Sequence, residues 1–272
     1  MARPLTPRDD IYWIFSMLIY AAHLPHSPAL LPQIAKNKVQ LFKKTKRAIA
    51  EIAADLYARN PATLLLITPL GAGLEHSYTL QVASRYQVDL GPIGDFASDA
   101  TFGGDIFLAH KISEELGIEW PVKNLSNERL DVASSVAMLQ LIRAKKNYSI
   151  LPLTYALQPA KQIFAFGQAL REAIEKSGER VAALSLGDLS RTNSREREAG
   201  DKFDQKIINC LHDKQALAFL ELESPQIDSF HVCAYRPLAL LLGALSGVNY
   251  ECDVLSYQQR FGVGMMAARF TF

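Results

Sequence analysis

Residues 160–191 read AKQIFAFGQALREAIEKSGERVAALSLGDLSR and contain the pattern that decides the fold. In the first part apolar residues recur every three or four positions, and the flanking Gln158-Pro159 and Gly178 are typical helix boundaries. The next apolar run, residues 181–186, is short and aliphatic, which predicts a buried strand. A polar Gly-Asp-Leu-Ser-Arg loop follows it. The stretch is therefore a helix–strand unit of the kind from which α/β proteins are built.

The same alternation continues along the chain and predicts one α/β domain, with a central mixed sheet flanked by helices. No Pro-, Gly- or Ser-rich linker and no internal repeat divides the sequence. The predicted strands cover residues 18–22, 63–68, 86–90, 148–153, 181–186, 251–257 and 264–270. The predicted helices cover residues 38–58, 99–116, 134–144, 160–177, 195–212 and 237–245.

The amino-acid composition limits the kinds of binding partner that are expected for this protein. The 272 residues carry a formal net charge of +1, with basic and acidic residues mixed, so neither nucleic acid nor a membrane is an expected partner. The three cysteines have no CxxC spacing, which argues against a disulfide framework and against a thiolate zinc site. We therefore expect a cytoplasmic protein that binds a small molecule or another protein.

The N-terminus contains an apolar run over residues 11–22, which is shorter than the roughly 18 residues that a membrane span needs. Its last part, residues 18–22, is better explained as a buried first strand. Residues 1–16 do not fit the pattern that follows and are predicted to be an extension, with Met17 as a candidate start. The domain is expected to cover residues 17–272.

In a parallel sheet, ligands bind where strands end, so the loops after the predicted strands are candidate site loops. Four of them are rich in Pro, Gly, Ser or His: residues 23–28, 68–71, 187–191 and 230–234. On their own they predict a cleft without specifying its chemistry.

Taken in order, these loops resemble the class III extradiol (aromatic ring-opening) dioxygenase superfamily, which includes the catalytic B subunits and the AmmeMemoRadiSam system protein B group. The similarity spans roughly residues 17–272. It rests on Pro25-His26-Ser27-Pro28, Ile67 to Gly71, Gly94-Asp95-Phe96, Leu186 to Ser190, and Tyr257 to Gly264. The resemblance implies a fold like that of the dioxygenase B subunit.

In that family two histidines and a carboxylate hold Fe(II), and a further histidine acts as acid and base. Transferred onto this chain, only His26 matches a metal ligand. Leu70 stands at the second histidine, the carboxylate falls at or near Val232, and Arg191 stands at the acid/base histidine. Since a guanidinium stays protonated and has no lone pair, it cannot act as that base. The resemblance therefore implies no cofactor, and Fe(II) only if the ancestral activity is kept.

Several residues have other interpretations. His23 and His26 can be plain polar residues at a strand end, and Asp188 can cap a helix and pair with Arg191. A rebuilt metal site from His26, His76 and His231 is also conceivable.

Two classes of function remain. The first is a non-catalytic descendant without the iron site, which binds a small molecule, with an anion as one option, or a protein partner. The alternative is an active non-haem Fe(II)-dependent oxidoreductase with a rebuilt site. Ligand count favours the first. A homodimer is expected, and the residues expected to line the pocket are His26, Leu70, Asp188, Arg191, His231 and Val232.

Overall fold

The computed structural model describes residues 16–141, 148–222 and 225–272. Its strands are β1 (Leu18–Leu24), β2 (Thr63–Thr68), β3 (Tyr78–Gln81), β4 (Arg85–Gln87), β5 (Thr101–Gly104), β6 (Val122–Leu125), β7 (Ser149–Thr154), β8 (Val181–Leu186), β9 (Glu251–Arg260) and β10 (Val263–Thr271). Its helices are α1 (Pro32–Ala35), α2 (Lys43–Arg59), α3 (Ile106–Leu116), α4 (Val132–Leu141), α5 (Ala160–Ser177), α6 (Arg197–His212), α7 (Ala216–Glu221), α8 (Pro225–Ser229) and α9 (Tyr235–Ala244). Short 3-10 helices cover Pro28–Leu30, Lys36–Phe42 and Gly91–Ile93.

All these strands join one mixed sheet, in the order β4-β5-β7-β2-β8-β1-β10-β9, with β3 pairing β7 and β6 off this path. Strands β7, β2, β8 and β1 are mutually parallel neighbours, whereas β10 and β9 run antiparallel at one side. The carboxyl ends of β1, β2 and β8 therefore lie at the same edge of the sheet. This edge is where the loops after those strands meet.

Helices cover both faces of the sheet, and side chains of a strand alternate between the two resulting cores. In β2, Leu65 and Ile67 pack with residues of α3, α5 and α9, while Leu64 and Leu66 pack with residues of α2 and α4. The whole of β2 is buried, as expected of a parallel strand covered on both sides. The predicted fold, a single α/β domain with a central mixed sheet, is confirmed.

One predicted helix was wrong at its beginning. It was expected over residues 99–116, but Thr101–Gly104 forms β5 and α3 begins after Asp105. The Asp105 carboxylate accepts a hydrogen bond from the backbone N–H of Leu108 at 2.9 Å, so Asp105 is the helix cap and Asp99 is not. A Cβ at Gly104 would lie 1.8 Å from the Ala83 carbonyl oxygen, so the glycine permits a close backbone approach that a helix pattern does not reveal.

The prediction that residues 1–16 form a separate extension falls almost entirely outside the described residues. From Ser16 onward the chain is described, and the Ser16 hydroxyl donates a hydrogen bond to Glu175 of α5 at 2.6 Å. None of the helices in the described ranges is both long enough and apolar enough to cross a membrane.

Candidate functional site: a buried His26, Asp188 and Cys233 cluster

His26 lies in the loop that follows β1 and is only 5% exposed. Its backbone N–H donates a hydrogen bond to Asp188 Oδ1 at 3.2 Å, and its ring nitrogen Nδ1 lies 4.0 Å from Asp188 Oδ2. On the opposite side of the ring, Nε2 lies 3.1 Å from Cys233 Sγ. The imidazole is therefore held between a carboxylate and a thiol.

Cys233 belongs to the loop between α8 and α9 and is tied to the loop after β8. Its sulfur accepts a hydrogen bond from the backbone N–H of Asp188 at 3.2 Å and lies 3.4 Å from the Asp188 carbonyl oxygen. The backbones of these two loops lie so close together that a Cβ at Gly187 would be 2.3 Å from Ala234 Cα. Glycine at 187 is therefore a condition for the cluster to form.

The pKa values of two neighbouring histidines, His23 and His26, are shifted in opposite directions. Burial lowers the pKa of His26, but the Asp188 carboxylate and Cys233 outweigh burial and raise that pKa to about 9. His23, fully buried on β1, has its pKa lowered to about 3, chiefly by burial and then by the charge of His26. His23 Nδ1 lies 3.1 Å from the Ser185 hydroxyl, a polar contact that suits a neutral ring.

Two further polar side chains border the cluster. Burial raises the pKa of Tyr155 to about 12, the Arg236 guanidinium opposes that rise, and Cys233 adds to it. Nε of Arg236 is buried and has no hydrogen-bond partner within the described ranges. A guanidinium on the first turn of α9 therefore lies near the cluster with donor capacity to spare.

The loop after β2 is organised by structural hydrogen bonds. Thr68 Oγ1 donates to Asp131 Oδ1 at 2.8 Å and accepts from the backbone N–H of Leu70 at 3.2 Å. Asp131 also accepts from the backbone N–H groups of Ala133 and Ser134 at the beginning of α4. Asp131 is thus a helix cap that anchors this loop.

The other residues expected in the pocket differ in their surroundings. Leu70 is 47% exposed, whereas Val232 is buried. Arg191 and His231 are exposed, and His231 has a positive φ of 50°. Neither cavity described for the molecule is lined by any of the residues expected in the pocket.

Two expectations about contacts were wrong. Asp188 was expected to cap a helix and to pair with Arg191, but α6 begins at Arg197 and the Asp188 carboxylate faces His26. In the part of the chain that the structure describes, no carboxylate lies within 4.0 Å of the Arg191 guanidinium. The rebuilt site from His26, His76 and His231 is also not formed, since the described residues contain no group of three or more His, Cys, Asp or Glu placed to hold a metal.

Cys233 and Arg236 are the site residues that the sequence did not reveal. The cysteines were considered only as disulfide or zinc candidates, for which their spacing is unsuitable. The feature of the sequence that could have revealed Cys233 is its position: it directly follows Val232, the expected place of the family carboxylate. Arg236 follows in the helix that this loop opens.

Comparisons with known proteins show which family this chain resembles. A family model described as the catalytic LigB subunit of aromatic ring-opening dioxygenase matches residues 20–270. Protein CA_C1420 of Clostridium acetobutylicum is 25% identical over 265 residues, which cover 89% of this chain and 55% of that protein. This chain thus spans about half the length of that curated relative.

A solved structure provides a further likeness. The crystal structure of uncharacterized protein JW3007 from Escherichia coli K12 superposes with a TM-score of 0.65 at 15% identity, covering 93% of this chain and all of that one. At this identity the likeness shows the fold alone. The family model, by contrast, matches nearly the full length and shows that the chain belongs to the family of the catalytic LigB subunit of aromatic ring-opening dioxygenases.

Proposed function

We propose that this chain is a member of the family that lacks ring-opening iron chemistry and binds a small anionic molecule at the cluster formed by His26, Asp188 and Cys233. The observation that carries the proposal is the donor set. Of the family positions for iron and for the acid/base histidine, only His26 has a side chain able to do the family's chemistry. Its Nε2 faces Cys233 at 3.1 Å.

The side chains at the other positions do not fit iron. A non-haem Fe(II) site needs about three protein donors of nitrogen or oxygen type, with open positions for substrate and oxygen. Leu70 and Val232 are hydrocarbons, and Arg191 is a permanent cation that repels a metal ion. Asp188 is directed to His26 through both its oxygens, at 3.2 Å from the backbone nitrogen and 4.0 Å from Nδ1. We therefore propose that no cofactor is bound.

Cationic side chains support an anion as the ligand. Arg236 has a buried Nε without a hydrogen-bond partner among the described residues, and a buried unsatisfied donor is costly. A carboxylate or phosphate oxygen would satisfy it through a charge-assisted hydrogen bond. Arg191, exposed at the end of the loop after β8, adds a second planar donor group at the same edge of the sheet.

The alternative is an Fe(II)-dependent oxidoreductase with a rebuilt site. One observation favours it, namely that Cys233 brings a sulfur donor to within 3.1 Å of His26 Nε2. A thiolate is a softer ligand than the carboxylate that the family uses, so such a site would differ in metal preference.

The two candidates are distinguished by oxygen consumption. Purified protein loaded anaerobically with Fe(II) is mixed with catechol and protocatechuate in an oxygen electrode. We expect no catechol-dependent uptake above that of free iron at the same concentration. Uptake that His26→Ala abolishes would establish the enzyme and overturn the proposal.

Anion binding is tested by calorimetry with acetate, succinate and phosphate. Wild type is expected to bind one of these anions, and Arg236→Leu to weaken that binding about tenfold or more, as loss of a charge-assisted hydrogen bond predicts. Arg191→Leu is expected to weaken it less, because Arg191 is exposed. Arg195→Leu, a change at another exposed arginine, is the matched control and should have no effect. Absence of binding by wild type would contradict the choice of an anion as ligand.

A further inference from the structure

A cavity separate from the His26 cluster lies between the beginnings of α2 and α6 and the end of β9. Its volume is about 590 Å³. The residues that line it are Lys44, Arg197, Asp201, Gln205, Tyr257, Gln258, Gln259 and Arg260. The lining is therefore polar and carries three cationic side chains against one carboxylate.

The three cations that line this cavity form no ion pair with any acidic residue that the structure describes. Within the described ranges, no carboxylate lies within 4.0 Å of Lys44, Arg197 or Arg260. The one lining carboxylate, Asp201, accepts a hydrogen bond from the Tyr257 hydroxyl at 2.8 Å. Among the described residues that line the cavity, the positive charges therefore outnumber the negative ones by three to one.

Gln259 supplies the observation that points to a ligand. The residue is more than nine-tenths buried, with 8% of its surface exposed, and its Oε1 accepts a hydrogen bond from Arg197 Nε at 2.7 Å. Since a guanidinium can only donate, this contact fixes which end of the amide is oxygen. The remaining end, Nε2, is a buried donor with no partner in the part of the chain that the structure describes. A buried amide donor without an acceptor calls for one from outside the chain.

Arg197 and Arg260 also keep N–H groups that their contacts with Gln259 do not use. Arg197 uses Nε for Gln259, which leaves its two terminal nitrogens, and Arg260 uses one terminal nitrogen for the Gln259 carbonyl oxygen at 3.0 Å. Arg197 is also the first residue of α6, a helix of 16 residues whose N-terminal dipole favours negative charge. Amide, guanidinium, ammonium and helix N-terminus all offer positive charge or N–H groups to one space.

We infer that this cavity is a binding site for an anion of the phosphate class, either free phosphate or the phosphate group of a small metabolite. A tetrahedral dianion fits because planar guanidinium groups bind phosphate through paired hydrogen bonds. Gln259 Nε2 binds one oxygen at the buried wall, while Arg197, Arg260 and Lys44 neutralise its charge. The site shares no residue with the His26 cluster, so the inference does not depend on the function proposed above.

The test uses isothermal titration of the full chain with inorganic phosphate and with pyrophosphate, at constant ionic strength set with sodium chloride. The decisive variant is Gln259→Glu, which keeps the acceptor for Arg197 but replaces the unsatisfied donor by an anionic oxygen. We expect wild type to bind at least one of the two anions and Gln259→Glu to weaken binding about tenfold or more. Because pyrophosphate carries more charge than phosphate, the source is distinguished with a phosphate monoester: tighter binding of glycerol phosphate than of inorganic phosphate would indicate a phosphorylated metabolite, and the reverse order would indicate free phosphate.

A second variant keeps the test decisive if Gln259→Glu does not fold. Arg260→Met removes an exposed cation at the end of β9 and is expected to weaken binding by a similar factor. Arg195→Met, an exposed arginine outside the lining, is the matched control and should bind as wild type does. The inference is overturned if wild type binds neither anion at millimolar concentration, if both lining variants bind normally, or if the control loses binding equally.

Discussion

At the scale of single residues, the site is a buried imidazole held between Asp188 and Cys233. His26 and Asp188 could be singled out from the sequence because they lie in loops that follow strands. Cys233 could not, since its contact with His26 depends on the close approach of the loops after β8 and before α9, which Gly187 permits. The sequence likewise suggested an Asp188–Arg191 pair from spacing alone. Spacing says nothing of orientation when the segment is not a helix.

The charge on His26 depends on Asp188, and this can be measured. In Asp188→Asn, burial of the ring and its contact with Cys233 remain while the raising effect of the carboxylate is lost, so the pKa of His26 should fall below about 9. In wild type, the contribution of the protonated His26 ring to the free energy of unfolding is fully present below about pH 6.5. It is lost as the pH rises through about 9.

NMR titration of the His26 imidazole signals gives the pKa directly. Asp131→Asn is a control of the same chemistry at an aspartate that caps α4, and should leave the His26 signals unchanged. An unchanged pKa in Asp188→Asn would show that the carboxylate is not the partner of the ring.

His23 makes the protein sensitive to acid. Its folded pKa of about 3 lies below the unfolded value of about 6.5, so its contribution to stability is present above pH 6.5 and lost as pH falls toward 3. Between pH 6.5 and pH 5 this amounts to about 2 kcal/mol of unfolding free energy. His23→Asn keeps a polar atom near Ser185 without a titrating group and should remove that part of the pH dependence.

Urea unfolding of wild type and variant at both pH values measures the difference. His110→Asn is the control, because His110 is exposed on α3 and should not change the pH dependence. If His23→Asn loses as much stability as wild type between pH 6.5 and pH 5, the buried neutral histidine is not the cause.

At the scale of elements, long periodic segments were predicted well and short ones were missed. The bounds predicted for β2, β8 and α5 agree with the structure, since each is a strongly patterned segment with clear ends. Strands β3, β5 and β6 have four residues each, and β5 and β6 contain only intermediate and exposed positions. Such short strands carry too little pattern to be recognised without their neighbours.

Packing between elements explains two glycines that the sequence left without a role. Gly167 of α5 lies against α9, and a Cβ there would approach the Leu240 carbonyl oxygen to 2.2 Å. Gly243 of α9 meets α5 in the same way, with a Cβ 2.0 Å from the Phe164 carbonyl oxygen. The two helices can approach this closely because neither carries a side chain at the crossing.

Gly167→Ala should therefore destabilise the protein by about 1–3 kcal/mol, because the added methyl group forces apart two backbones that cannot yield locally. Gly103→Ala in strand β5 is the matched control, since a methyl group there would lie 4.0 Å from its nearest neighbour, Ser149 Oγ, and has room. Chemical denaturation of both variants measures the effect. Equal stability of Gly167→Ala and Gly103→Ala would contradict the close crossing of α5 and α9.

At the scale of the whole molecule, the chain has the fold of its family, and we propose that its site residues differ from those that hold iron in the family. The parallel strands bring the loops of His26, Leu70 and Arg191 to one edge of the sheet. Fold and site are separable in this way because the fold depends on buried apolar faces, whereas the iron chemistry depends on a few loop side chains. The central claim is therefore about those side chains.

Metal content tests that claim most directly. Wild type and His26→Ala are purified from cells grown with added iron and analysed by elemental mass spectrometry. We expect far less than one iron per chain in wild type, with no difference between the two proteins. About one iron per chain in wild type that is lost in His26→Ala would contradict it, because an active dioxygenase needs a filled site.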